Sequence, residues 1–210
     1  MTTQFIVVRH GETEWNQLGI QQGQLDSPLS DKGILQAKNV ANAVECGSIA
    51  ATFCSDLGRA IETCSIITKK LAIDFTSSNL LRERNLGIMQ GMTRTDFESQ
   101  HPDAMDQFLS HTPDYQLPQG ESRQDVYSRC CLFLEKLAHQ YPEKQLLIVT
   151  HSGVLTELFY KAVGLHLNQS RQFSLMNASI NRFIIDQGQW QLNSWGETSH
   201  HRGMAIMDAE

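Results

Sequence analysis

The sequence predicts an α/β architecture of layered strands and helices, and two observations carry that expectation. Short, apolar, often β-branched runs recur along the chain and read as buried strands. Between them lie segments whose apolar residues repeat at the spacing of one helical face. No internal repeat, low-complexity tract or Pro/Gly-rich linker divides the 210 residues, so one domain spanning 1–210 is expected.

Residues 5–9 (Phe5, Ile6, Val7, Val8, Arg9) supply the first strand. Ser30 then offers an N-cap, and Ile34, Ala37, Val40, Ala41 and Val44 follow at helical spacing until Gly47 stops the run. A strand at 51–54 feeds a helix with Ala60, Ile61, Cys64 and Ile67 on one face. Behind Ser122 the clearest stripe runs through Val126, Cys130, Phe133, Leu134 and Leu137. Residues 145–150 form another buried strand, followed by a helix carrying Val154, Leu155, Leu158, Phe159, Ala162 and Val163, with Gly164 as its stop. Two antiparallel strands are expected at 179–185 and 189–195, joined at Asp186, Gln187 and Gly188. The tail 197–210 has little pattern and is expected to be ordered only in part. Residues 91–120 stand apart: they are polar and hold Pro102, Pro113 and Pro118, three of the five prolines. They read either as a lid or binding insertion or as a pair of short surface helices.

Composition narrows the function. A net charge of -6 lacks the basic face that nucleic-acid binding needs, yet leaves room for a locally positive pocket and a small anionic substrate. No apolar run is long enough to span a membrane, and residues 2–4 lead into the first strand with no basic region or cleavage site, so a cytoplasmic protein is expected. Cys46, Cys54, Cys64, Cys130 and Cys131 are odd in number and lack C-x-x-C spacing, and several sit at apolar positions, so they read as small core hydrophobes.

Two predicted strands end in a histidine followed by a small residue: Arg9-His10-Gly11 and Thr150-His151-Ser152-Gly153. Ligands of open α/β sheets bind beyond the carboxyl ends of the strands, so both histidines can face one crevice. Gly11 allows close approach of backbone to ligand, and Ser152-Gly153 opens a helix whose free N–H groups favour an anion. Arg9 supplies a planar cation suited to phosphate, and Arg59 lies just past the second strand, able to reach the same end of the sheet. A metal site built on His10 and His151 is a weaker reading, because no zinc or di-metal spacing is present and two arginines would repel the ion.

These residues resemble a family. Arg9-His10-Gly11-Glu12-Thr13-x-Trp15-Asn16 is similar to the signature of the histidine phosphatase superfamily, the group of cofactor-dependent phosphoglycerate mutases and many small phosphatases. The resemblance continues through Gln22-Gly23, Asp26-Ser27-Pro28-Leu29-Ser30, Ser55-Asp56-Leu57-Gly58-Arg59-Ala60, Leu81-Arg82-Glu83-Arg84-Asn85-Leu86-Gly87, Pro118-Gln119-Gly120-Glu121-Ser122 and Thr150-His151-Ser152-Gly153. It implies a phosphoglycerate mutase-like three-layer sandwich with a central, mostly parallel sheet flanked by helices. It also implies His10 as a nucleophile forming phosphohistidine, Arg9, Asn16, Arg59 and His151 as the phosphate pocket, and Glu83 as general acid and base. Gly11, Glu12, Thr13, Gln22, Gly23, Ser152 and Gly153 would join them as substrate-binding residues. No cofactor and no metal are implied. For Glu83 the residues alone favour a surface salt bridge with Arg82 or Arg84.

Mutases of this type resemble longer chains with an extra basic segment. Here only Arg84 and Arg94 follow Glu83 before Arg123. A phosphatase of histidine acid type acting on a small phosphorylated metabolite is therefore expected, with mutase-type transfer as the alternative. Arg84 would suit a second anionic group on the substrate, or would be a solvated charge. A non-catalytic phospho-ligand module fits less well, since both His10 and Glu83 are kept.

Overall fold

Among the residues described by the computed structural model, 2–44 and 49–201, six strands form one sheet. Strand β1 (Thr2–Arg9) shows why helices must cover both sides of it. Phe5 and Val7 project to one face and Ile6 and Val8 to the other, and all four are buried. Parallel to β1 runs β4 (Gln145–Thr150), with Val8 opposite Val149 and Arg9 opposite Thr150. Beyond β4 lie β2 (Ile49–Ser55) and the short β3 (Thr76–Ser78), both parallel to it. On the other side of β1, β5 (Ile180–Asp186) and β6 (Gln189–Glu197) are antiparallel, giving the order β3-β2-β4-β1-β5-β6. Gln187 and Gly188 turn between them with φ of 50° and 79°, the positive pair of a tight hairpin.

Helices α2 (Asp31–Ala43) and α3 (Gly58–Leu71) pack Val40, Ala41, Cys64 and Ile67 against Ile6, Val8, Leu147 and Val149. On the opposite face, α6 (Arg123–Gln140) and α7 (Ser152–Val163) bring Leu134, Leu137, Val154 and Leu158 against Phe5, Val7, Leu146 and Ile148. The result is the expected three-layer sandwich with a mixed, mostly parallel sheet. Ser30 caps α2 as anticipated, Ser122 caps α6, and Gly164 ends α7 at φ 72°. Val163 is exposed rather than part of the apolar stripe. Cys46, Gly47 and the tail after 201 lie outside the described residues; Cys54, Cys64, Cys130 and Cys131 are buried free thiols.

Two elements escaped the sequence reading. The four-residue α1 (Glu14–Gln17) is capped by Thr13, and β3 is three polar residues with no alternation to reveal it. In the 91–120 segment, α4 (Arg94–Gln100) and α5 (Pro102–Leu109) form the pair of short helices. Their Phe97 and Met105 pack with Met89 and Leu117 in a small core of their own. No described helix is long and apolar enough to cross a membrane.

Candidate active site

Because β1 and β4 are adjacent, parallel and in register at Arg9 and Thr150, the next residue of each emerges side by side. The His10 and His151 rings are 5.2 Å apart between centroids, tilted by 57°. The backbone of His10 is pinned on both sides: its N–H donates to the Thr150 carbonyl at 2.9 Å, and its carbonyl accepts from the Ala178 N–H at 3.1 Å and Asn177 Nδ2 at 3.2 Å. His10 Nδ1 lies 2.7 Å from the Gly11 carbonyl, which can only accept. Nδ1 therefore carries the proton, and Nε2 keeps its lone pair, facing Arg59 Nε at 3.3 Å. Burial, then the charges of Arg59 and Arg9, hold the His10 pKa well below the usual histidine value, so the ring stays neutral. His151 is depressed in the same direction by burial, Arg59 and His10.

Arg59, in the first turn of α3, is only 2% exposed. A cation so placed needs a full set of acceptors. Its guanidinium donates to the Gly23 carbonyl at 2.7 Å, the Leu25 carbonyl at 2.8 Å and Asp26 Oδ1 at 3.0 Å. Asp26 also accepts from the Gly58 and Arg59 N–H groups at the start of α3, which fixes helix and side chain together. Gly23 sits at φ 52°, and a Cβ there would meet the Gln90 side chain at 2.2 Å. Arg9 donates to the Leu175 carbonyl.

Glu83 is seated on the N-terminus of α7. Gly153 N–H lies 3.1 Å from each of its carboxylate oxygens, Ser152 Oγ donates to Oε2 at 3.1 Å, and the Arg84 N–H donates to Oε1 at 2.8 Å. A Cβ on Gly153 would lie 2.1 Å from Glu83 Oε1, so glycine is what lets the carboxylate reach the helix end. The surface salt-bridge alternative does not hold. Arg82 forks onto Asp56 with both contacts at 2.7 Å. Arg84 donates to the carbonyls of Glu121 and Tyr115 and lies 5.1 Å over the Phe108 ring.

Arg9, His10, Asn16, Gln22, Gly23, Arg59, Glu83, Arg84, Ser152 and Gly153 line one cleft of about 640 Å³. His151 stands behind His10, fully buried. Three residues of the predicted binding set do not line it. Gly11 is a packing glycine, where a Cβ would meet the Gly33 carbonyl oxygen of α2 at 2.5 Å. Glu12 turns its carboxylate to Gln17, Ser30 and Lys32. Thr13 caps α1, and its Oγ1 accepts from Gln22 Nε2 at 2.8 Å. Asn16 Oδ1 accepts from Thr13 and Asn177, which leaves the NH₂ end of that amide to face the cleft. Among the described residues, no group of three or more His, Cys, Asp or Glu converges to hold a metal ion.

The sequence profile of the histidine phosphatase superfamily (branch 1) matches residues 5–198. The chain belongs to that superfamily. It is 35% identical over 94% of its length to phosphoglycerate mutase-like protein 4 of Arabidopsis thaliana, covering 86% of that protein. It is 34% identical, over 94% of this chain and 83% of the other, to a metal-independent phosphoserine phosphatase of the same plant. The solved structure of Bacillus stearothermophilus YhfR superposes with a TM-score of 0.87 at 32% identity, covering 94% of this chain and 98% of that one. Relatives named for mutase-like and for phosphatase proteins thus share the fold, and the match to branch 1 replaces the acid-type label.

In this member of the superfamily the outer half of the cleft was not anticipated. Arg123 forks onto Glu157, with Nε to Oε1 at 2.9 Å and the second contact at 3.2 Å, and stacks 4.7 Å from the Tyr160 ring centre. Glu157 is 4% exposed, and burial raises its pKa against the pull of Arg123. Its signal was present in sequence: an acid on the buried stripe of α7 demands a partner. Arg171 and Phe108 also line this half, and neither carries a sequence signal.

Proposed function

We propose that this chain is a metal-independent phosphomonoester hydrolase that transfers the phosphoryl group of a small metabolite to His10 Nε2 and then to water. The observation that carries the reading is the neutral His10 ring, its Nε2 lone pair set against the Arg59 guanidinium in a cleft that also holds Glu83. Nε2 attacks phosphorus, the ester P–O bond breaks, and Glu83 hands its proton to the departing oxygen. Water then attacks the phosphohistidine while Glu83 takes a proton back, and the P–N electron pair returns to Nε2. Arg9, Arg59, Asn16 and His151 are the groups we assign to the phosphoryl oxygens, supplying charge and positioning without a metal. The plant relative named as a metal-independent phosphoserine phosphatase supports the metal-free reading.

The outer cleft supports a substrate with a second anionic group beyond the ester. Arg84 and Arg171 face it, while the charge of Arg123 is already matched by Glu157. That surplus suits a carboxylate better than the second phosphate a mutase must retain. The 91–120 segment, which brings Phe108 to this end, is read as the region covering the leaving group.

A screen of phosphorylated metabolites tests the reading. Inorganic phosphate should be released, turnover should survive EDTA, and vanadate should inhibit, since it takes the five-coordinate geometry of in-line transfer. Turnover lost to EDTA and restored by a divalent ion would end the metal-free mechanism, and isomerisation without phosphate release would make the chain a mutase. Gly153→Ala offers a second check. The new methyl group must push Glu83 off the helix end, so kcat/KM should fall about 10²-fold, the size expected for an ångström-scale misplacement. Thermal stability should change little, because alanine is the better helix former. Unaltered kinetics would remove Glu83 from the reaction.

A further inference from the structure

The second histidine carries more information than its burial. His151 has one ring nitrogen satisfied: Nε2 lies 2.7 Å from Ser55 Oγ. Its Nδ1 is buried and finds no hydrogen-bond partner among the described residues. Ser55 is the last residue of β2, fully buried, and its Oγ already accepts the Leu57 N–H at 3.3 Å. A serine hydroxyl has one hydrogen to give and two lone pairs. With one lone pair committed to Leu57, the hydroxyl hydrogen is free to point at His151 Nε2.

We propose that Ser55 is a positioning residue whose O–H donates to His151 Nε2, fixing the imidazole proton on Nδ1 as a donor to a phosphoryl oxygen beside His10. The inference rests on the phosphatase reading for the identity of the acceptor, and on geometry alone for the position of the proton. In the opposite arrangement Nε2–H would donate to Ser55, stranding the hydroxyl hydrogen. It would also turn a bare lone pair on Nδ1 toward the negative oxygens, a repulsive contact. The tautomer matters because the ring is neutral: burial, Arg59 and His10 all disfavour the cation, so His151 has a single N–H to place. Its ring packs 5.2 Å from that of His10, which puts the two nitrogen-bearing rings at one site. His10 and His151 would then hold the same tautomer for opposite purposes, the one exposing a lone pair and the other an N–H.

Long-range proton–nitrogen correlation NMR on the full ¹⁵N-labelled chain reads the tautomer directly, with the His151 signals identified by their absence in His151→Asn. The expected result is a proton on Nδ1, with the Nδ1 resonance moving when orthovanadate is added. In Ser55→Ala the proton should redistribute toward Nε2, and kcat/KM should drop about 10–100-fold, the usual effect of losing a group that orients another. A wild-type proton on Nε2 overturns the proposal, and so does a Ser55→Ala protein with either an unmoved tautomer or unaltered efficiency. Should that variant fail to fold, the wild-type spectrum still decides. An Nδ1 proton in a chain that releases phosphate from no ester would refute the phosphatase reading and leave the tautomer assignment standing.

Discussion

His10→Ala is expected to reduce turnover at least about 10⁴-fold, to the level of background hydrolysis, as loss of a nucleophile does. The fold should survive. The bonds that hold this position run through its backbone, to Thr150, Ala178 and Asn177, and none needs the imidazole. Rapidly quenched wild-type protein should carry an acid-labile, base-stable phosphoryl label that the variant lacks; a label on serine or cysteine instead would end the phosphohistidine mechanism. The same variant should alter the response to acid. Both site histidines titrate near 6.5 in the unfolded chain and well below it when folded. Between those values the unfolded chain binds more protons, so stability is complete above about pH 6.5 and declines as the pH falls toward the folded pKa. Removing one of the two rings should make that decline shallower in a urea titration repeated across pH. An identical decline would mean that His10 is not held neutral by its surroundings.

How far the site was legible depends on where each residue's partner lies in the chain. His10 and His151 were readable because each ends an apolar run, and the ends of parallel strands share one edge of the sheet. Arg59 was readable for the same reason, one turn past β2. Glu12 and Thr13 entered the set through the resemblance alone; the chain leaves the strand there, and their side chains turn to α2 and α1. From the residues alone Glu83 read as a salt bridge, and only the resemblance pointed to catalysis, since its seat on Gly153 lies 70 residues away. Asp26, Ser55 and Asn177 act through hydrogen bonds to partners far away in the chain, which leave no periodic trace. The same holds for the small core of Phe97 and Met105, split between two helices too short to show a stripe. Local order was written in local pattern, and long-range polar contacts were not.

Glu83→Gln should separate two kinds of substrate. A general acid contributes in proportion to the leaving group's need for a proton. An alkyl phosphate expels a strongly basic alkoxide, whereas a nitrophenyl phosphate expels a stable anion. Glutamine keeps the length of the side chain; its oxygen can still accept from the Gly153 and Arg84 N–H groups while its NH₂ donates to Ser152 Oγ, so the variant should remain seated on α7. What it loses is the transferable proton. Phosphorylation of His10 should therefore slow by about 10²–10⁴-fold for the alkyl ester and far less for the nitrophenyl ester. The measurement must be single-turnover, because Glu83 also serves as base when water attacks the phosphohistidine, and a slow second step would flatten the contrast at steady state. Equal slowing of both esters would make Glu83 a binding group that steadies the cleft. Unchanged rates for both would assign the carboxylate only the capping of α7 that its contacts already provide.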